Sequence, residues 1–509
     1  MEKQKTGKSW NGLSLAVLIL LVLAEGLLLL RVWKLNMLPE LYFAILAGVL
    51  VVVTCLLCLL LFRGAQGKWS KKPRHGKQIV GYFLSALIVG LCVFAQGAVG
   101  KVQGTIEAIT APEEEKIVLE IYVLKEDKAQ YLQDAAGYTF ALPGDISDGE
   151  LAPLLEELQE VLQEDLKTVT CPNAIAQIDA LLDGEVNAVV LNSAYLDVVE
   201  SMEGYEDITE EIREIHERTI QMEAPILPTT PVRDPDPDRE ERQSFLMYFS
   251  GKDSRSNIQA IGRSDVNILV AVNPETHQIL LVNTPRDCYV INPASGDDSM
   301  DKLTHCGLKG VENSVAALEI LYQLDIDYYA RINFSGFEAL VDAVGGVTIY
   351  SDVAFTAHHE AFIQKGENRL NGKQALSFAR ERKTLKGGDN TRGKNQMKLI
   401  TALVQELTAE NLLMNYSEIL ESLEGMFTTN FPTEEISKLV RMQLSEMPEW
   451  EIYSFAVTGN GAHNSCWAAG GGYAYVMYPH EDVVERASEL IEKVLSGERI
   501  DEESVQPAE

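Results

Sequence analysis

Three apolar runs near the start of the chain constrain its fold more than any other feature. Residues 13–30 carry a single charge, Glu25, and residues 41–62 and 79–98 carry none. A bilayer-crossing helix needs about 20 mostly apolar residues, so the last two runs qualify and the first nearly does. The first run also admits a reading as a cleaved signal peptide, because Lys3, Lys5 and Lys8 precede it and Val22-Leu23-Ala24 leads into Glu25. Its apolar residues continue past Glu25, which favours a span.

The flanking charges orient these spans. Lys3, Lys5 and Lys8 stand at the N-terminus, and Arg63, Lys68, Lys71, Lys72, Arg74 and Lys77 fill residues 63–78, whereas residues 31–40 hold only Arg31 and Lys34. Cytoplasmic loops carry the excess of Lys and Arg, so everything after about residue 100 is expected outside the cell membrane, whether or not the first run is cleaved. Substrates are then expected among envelope components, since there is no ATP pool there. The first 100 residues have a net charge of +8 and the rest −40, within a total of −32. So acidic a body argues against nucleic-acid binding.

The remaining chain is too apolar to be disordered, and 509 residues suggest roughly three domains. Its expected organisation is a membrane anchor (1–100), an α/β accessory domain (101–223), a linker with five prolines (224–243), a second α/β domain (244–495) and an acidic tail (496–509) that frays. In the accessory part, periodicity predicts strands over 116–124 and 186–191 and a helix over 148–167, with no catalytic constellation. In the second domain it predicts strands over 266–272, 278–283, 328–334 and 347–350. Helices are expected over 311–324, 335–344 (Ser335 as N-cap, Gly345-Gly346 as stop), 372–379, 393–408 and 483–495. Cys171, Cys288, Cys306 and Cys466 show no metal-ligand spacing and are expected to remain unbridged.

Three features of the second domain carry chemistry. Asp253 and Asp265 flank a loop that leads into a predicted strand, and two carboxylates with phosphate oxygens suit Mg²⁺, although on spacing alone turn and cap work is the favoured reading. Thr284-Pro285-Arg286-Asp287 stands at the end of a predicted strand, where ligands gather. Residues 380–398 hold Arg380, Arg382, Lys383, Lys386, Arg392, Lys394 and Lys398 against Glu381 and Asp389, a local excess of +5 in an acidic domain. Arginine forks near a helix start suit phosphate oxygens, and a solvated basic loop is the alternative.

The motifs GKDSR (251–255), GRSD (262–265), TPRD (284–287), DKLTH (301–305), NFSGFEALVDAVGGV (333–347), ARER (379–382) and DNTRGKNQ (389–396) resemble the LytR–CpsA–Psr family. They fall in the family's order, and the three spans with an intervening α/β segment resemble its CpsA-type members. The resemblance implies a catalytic α/β domain with a central mixed sheet flanked by helices. It implies a phosphotransferase that moves a glycopolymer, such as capsule or teichoic acid, from a polyprenyl-pyrophosphate carrier to peptidoglycan. Asp253 and Asp265 match Mg²⁺-associated positions. Arg286, Arg380, Arg382 and Arg392 match pyrophosphate-contacting, catalytic positions, and Gln396 a substrate-binding one; Arg263, Lys302 and Lys394 are further substrate-binding candidates. Asp287 is expected to orient Arg286 or to assist deprotonation of the acceptor hydroxyl. His305 matches a family position that is structural or catalytic. Arg331 and Arg369 match no functional position and are expected at the surface. Lys394 and Asn395 replace the family's usual Arg and Gln, and lysine lacks the planar fork. The lipid tail is expected in an apolar tunnel. Expected partners are the lipid-linked glycopolymer, peptidoglycan, membrane lipids and polymer-assembly proteins. Two other readings use the same site: a hydrolase with water as acceptor, and a non-enzymatic envelope regulator that binds the lipid carrier.

Overall fold

The structure, a computed structural model, describes residues 3–63, 75–111, 116–221, 243–252, 258, 260–357, 361–381, 388–408 and 419–506. The expected linker lies almost wholly outside them. Two compact units emerge, the first comprising residues up to Thr110 together with Tyr416–Glu421 and Phe431–Pro448.

In the first unit, α1 (Lys3–Leu35), α2 (Glu40–Arg63) and α3 (His75–Ile109) contain the three apolar runs. Gly12–Leu35, Glu40–Phe62 and Gly76–Ile109 are each long and apolar enough to cross a membrane. Polar side chains in these helices pair across them. Thr54 donates to Glu25 at 2.5 Å, Gln96 to the Ala24 carbonyl at 3.0 Å and Gln78 to the Leu61 carbonyl at 3.0 Å. Such pairing matters in hydrocarbon, where an unmet polar group has no water to turn to. The last turns of α3 run past the predicted end because Val102 and Ile106 pack against Met37, Leu420, Ile436 and Val440. The latter two come from the helix Thr433–Glu446, whose Ser437 hydroxyl donates to the Leu35 carbonyl at 3.2 Å.

The second unit is built on two large sheets. The five-stranded sheet has the order β3-β2-β4-β1-β5, with β1 Lys116–Leu124, β2 Thr139–Pro143, β3 Lys167–Cys171, β4 Ala188–Asn192 and β5 Ile212–Gln221. β2 runs parallel to β3 and β4, and β1 antiparallel to β4 and β5. Its helices include α4 (Asp148–Leu162), α5 (Ala174–Leu182) and α6 (Leu196–Glu200). A reciprocal cap between Ser147 and Glu150 starts α4. This helix stops short of the predicted residue 167: its buried leucines end at Leu162, Gln163 takes φ 55°, and Lys167 already begins β3.

The second sheet is mixed, with order β16-β11-β6-β7-β8-β17. Its strands are β6 Phe245–Lys252, β7 Ser264–Asn273, β8 Gln278–Asn283, β11 Tyr328–Asn333, β16 Phe427–Thr429 and β17 Glu451–Ala456. Smaller strands are β9 Tyr289–Ile291 with β10 Met300–Lys302, β12 Val347–Ser351 with β15 Gly366–Leu370, β13 Phe355–Ala357 with β14 Ala361–Ile363, and the hairpin β18 Gly459–Ser465 with β19 Tyr473–Pro479. Alternation sorts the large sheet's faces. Leu246, Tyr248, Leu269 and Ala271 join a core with the helices Val311–Tyr322 and Glu481–Ser496. Phe249, Gly251 and Val266 point to the other face, where the helices Phe334–Ala343, Gly372–Arg380 and Gly388–Thr408 also contribute side chains to a cavity. The hairpin packs on the five-stranded sheet: Cys466, Ala468, Ala474 and Val476 of the hairpin and its turn lie in one core with Ile178, Val189 and Val198.

Several local expectations are corrected. Asn333, not Ser335, caps the helix Phe334–Ala343, its side-chain oxygen accepting from the Gly336 amide at 2.8 Å. The expected stop holds, with Gly345 and Gly346 at φ +83° and +95°. Arg331 is only 4% exposed, so it is not a surface residue, whereas Arg369 is exposed and pairs with Glu406. The tail does not fray as far as residue 506. Ile500 is 3% exposed, and its backbone exchanges two hydrogen bonds with the Gln278 amide, at 2.9 and 3.0 Å. All seven cysteines are free.

Candidate functional site

The site grows from the end of β8. Beyond Asn283 the Thr284 amide still bonds to the Asn267 carbonyl at 2.9 Å, and its hydroxyl meets the Tyr322 hydroxyl at 2.6 Å. Pro285 then turns the chain, closed by the Cys288 amide on the Pro285 carbonyl at 3.0 Å. The turn presents Arg286 and Asp287 together. Arg286 Nη1 lies 2.7 Å from Asp265 Oδ1, and Arg286 Nε 3.8 Å from Asp287 Oδ1. Lys302 Nζ reaches Asp287 Oδ1 at 3.6 Å, and the Thr304 hydroxyl donates to Asp265 Oδ1 at 3.0 Å. Alternating acids and bases thus fix one another in the rotamers that face the cavity.

That cavity has a volume of about 670 Å³. Arg263, Arg286, Lys302, Arg380 and Arg392 line it with Asp265, Asp287 and Glu381. Its remaining wall is apolar: Phe249, Val266, Ile332, Phe334, Phe337, Leu376, Leu399 and Ile400. The Arg380 guanidinium sits 4.6 Å from the Phe334 ring centroid, at the junction of the charged and apolar walls. Arg392 and Gln396 come from successive turns of the helix Gly388–Thr408, which starts five residues before the predicted 393, so Arg392 lies one turn inside the helix rather than at its opening. Gly393 lets that helix approach β8: a Cβ there would stand 2.4 Å from Asn283 Nδ2.

Eight sequence-predicted residues therefore line one cavity: Arg263, Asp265, Arg286, Asp287, Lys302, Arg380, Arg392 and Gln396. Lys394 is exposed and does not line it, while Asn395 is buried against the Phe378 carbonyl. Asp253 and Arg382 lie outside the described residues. Sequence reasoning missed Asp197, Glu200 and Ser201 at the end of α6, which also line the cavity, as does Tyr475 of β19. Asp197 pairs with Arg263 at 2.5 Å. The only sequence signal for this contact was the lone arginine of GRSD; its acidic partner lies 66 residues earlier.

Beneath the cavity floor, Asp301 and His305 form a buried pair at 2.6 Å. Burial would raise the Asp301 carboxyl, but the His305 ring and the Ala468 and Lys302 amides hold it below its ordinary value. Cys466 Sγ lies close to both side chains, yet the Asp301 oxygens already accept from His305, Lys302, Ala468 and Asn292, which makes the group a hydrogen-bond hub. In the cavity wall Asp265 and Asp287 present two carboxylates, the oxygen ligands that a hard divalent cation takes.

A sequence model of the LytR_cpsA_psr family matches residues 210–491. A polyisoprenyl-teichoic acid–peptidoglycan teichoic acid transferase, TagU, from Oceanobacillus iheyensis is 34% identical over 223 residues, covering 41% of this chain and 68% of that protein. The protein of the same name from Bacillus mycoides is 30% identical over 230 residues, 45% of this chain and 73% of its own length. Among solved structures, the Lin1025 protein from Listeria innocua is 27% identical, with a TM-score of 0.40 over 50% of this chain and 99% of that one.

Proposed function

The chain belongs to the LytR_cpsA_psr family, and from that premise we propose that it is a membrane-anchored transferase that moves a wall glycopolymer from a polyprenyl-pyrophosphate carrier onto peptidoglycan. One observation carries this reading: five cationic side chains meet in a cavity whose other wall is apolar. A diphosphate with a hydrocarbon tail matches both walls, guanidinium forks against phosphate oxygens and aromatic and aliphatic side chains against prenyl units. The lysine-rich flanks of the apolar helices support an outer-side location for the cavity, where peptidoglycan is.

Arg286, Arg380 and Arg392 bind the diphosphate and stabilise the negative charge that grows on the departing polyprenyl phosphate. Asp265 holds Arg286 in place, and Asp287 bridges Arg286 and Lys302, which makes orientation its first task. In the transfer an acceptor hydroxyl oxygen forms a bond to the sugar-linked phosphorus, the bond to the polyprenyl phosphate oxygen breaks, and the hydroxyl proton leaves to a base. Asp265 and Asp287, with Asp253, are the residues to hold Mg²⁺, which when bound neutralises phosphate charge.

The test uses the full chain in lipid nanodiscs with Mg²⁺, a synthetic prenyl-pyrophosphate saccharide and peptidoglycan fragments, with products weighed by mass spectrometry. A peptidoglycan fragment heavier by the saccharide phosphate is expected. Free saccharide phosphate alone would make the enzyme a hydrolase, and no turnover of the lipid would overturn the enzymatic reading.

A further inference from the structure

The five-stranded sheet also ends in a cavity, and the transferase reading makes no use of it. In open α/β sheets ligands settle outside the carboxyl ends of parallel strands. Pro143 closes β2, Pro172 follows β3 and Asn192 closes β4, and all three line a cavity of about 530 Å³. Tyr289, Ser465 and Trp467 supply the facing wall.

Its chemistry is mainly polar and aromatic. Among the described residues no Lys or Arg lines it, so it offers nothing to a phosphate. Two carboxylates stand in the wall: Lys309 pairs with Asp145 at 2.8 Å, and Asp298 is exposed to solvent. Burial pushes the Tyr195 hydroxyl up to about 12, which keeps it an uncharged donor and acceptor. Asn192 is 8% exposed, and its one hydrogen bond among the described residues is accepted by Oδ1 from the Ala194 amide at 3.1 Å. Its Nδ2 has no protein partner there. Asn192 lines the cavity, so this donor is available to a ligand oxygen. Asn173 repeats the pattern, with Oδ1 taken by the Ala176 amide at 2.9 Å. Amide donors beside an indole and two phenols suit sugar hydroxyls and the apolar face of a pyranose ring.

The two cavities share structural parts. Tyr475 of β19 lines the first and pairs in register with His463 of β18, while Ser465, two residues further along β18, lines the second. On β10, Met300 lines the second and Lys302 the first. We propose that the second cavity is a saccharide subsite that holds uncharged sugar units of a glycan engaged at the first. The inference rests on the transferase reading only for which glycan this is, the donor polymer or the peptidoglycan acceptor.

The experiment keeps the full chain in nanodiscs and omits lipid carrier. N-acetylglucosamine tetraose represents the acceptor glycan, and maltotetraose an uncharged hexose polymer. Hydrogen exchange over residues 465–472 and tryptophan emission are read during titration. One sugar is expected to slow exchange there and shift the emission, and the sugar that does so names the source. Asn192→Ala and Trp467→Ala are each expected to weaken binding roughly tenfold. Unchanged exchange with both sugars, or binding that survives both substitutions, overturns the proposal. Should Asn192→Ala fail to fold, Trp467→Phe and exchange in the parent chain decide. Saccharide protection without any transfer would sink the transferase reading and leave the subsite standing, and transfer without protection would do the reverse.

Discussion

The mixed sheet and the five-stranded sheet each open a cavity near strand ends, and the two walls differ in kind. Five cations line the first, whereas the second has amides, phenols and an indole. The strands themselves do not explain this, for β8 and β4 are both fully buried apolar runs that end in asparagine. The difference lies in the next few residues. After β8, Pro285 turns the chain and exposes an arginine beside an aspartate. After β4, Asn192 caps a short helical turn and keeps its amide for the cavity. A sheet edge is a ledge, and the short turn behind it selects the ligand.

Substitutions can break or sharpen this contrast. Asp301 lies between the cavities and bonds to both walls, so Asp301→Asn should cost about 3–5 kcal/mol at neutral pH in denaturant titration, as breaking a buried pair does. Its carboxyl is lowered from 3.8, so its stabilisation is present above that value and lost as pH falls through the lower folded value. The deficit of the variant should therefore shrink under acid, and a constant deficit down to pH 2 would deny the ionised pair. Arg286→Ala should slow transfer about 10²–10³-fold, as loss of a charge-stabilising donor does, without weakening saccharide protection at residues 465–472. If both fall together, the cavities do not have separate chemistry. Gly393→Ala should lower stability by about 1–3 kcal/mol and raise the KM for lipid carrier, since its Cβ meets Asn283 and pushes the Arg392 helix from β8. Least affected should be the ion pair joining the two domains. A double-mutant cycle of Arg263→Ala and Asp197→Ala should give a coupling below about 1 kcal/mol, because Asp197 is largely solvated.

The apolar helices, β1 and the order of chemical motifs were legible because each is written in contiguous residues. β1 occupies its predicted bounds, 116–124, and eight of the predicted site residues meet in one cavity. What escaped was set by partners far along the chain. Arg331 is polar and stands in a strand, so nothing local announced its burial. Ile500 sits in an acidic stretch and is held by Gln278, 222 residues away. Asp197, Glu200 and Ser201 look like an ordinary solvated helix end, and only tertiary packing, with the hairpin in one core with Val198 of that helix, brings them to the first cavity. The cap at Asn333 rather than Ser335 turned on two residues, both good capping types, of which the first lies at the true strand end.

The excursion between β16 and β17 has a practical consequence. The chain leaves the mixed sheet at Thr429, runs through the helix Thr433–Glu446 beside the ends of α1 and α3, and only then returns as β17. A truncated protein beginning after the third apolar helix would bare Ile436, Val440 and Leu420 to water. Such a shortened preparation is expected to self-associate in the test tube, and replacing those three side chains with polar ones should restore its monodispersity.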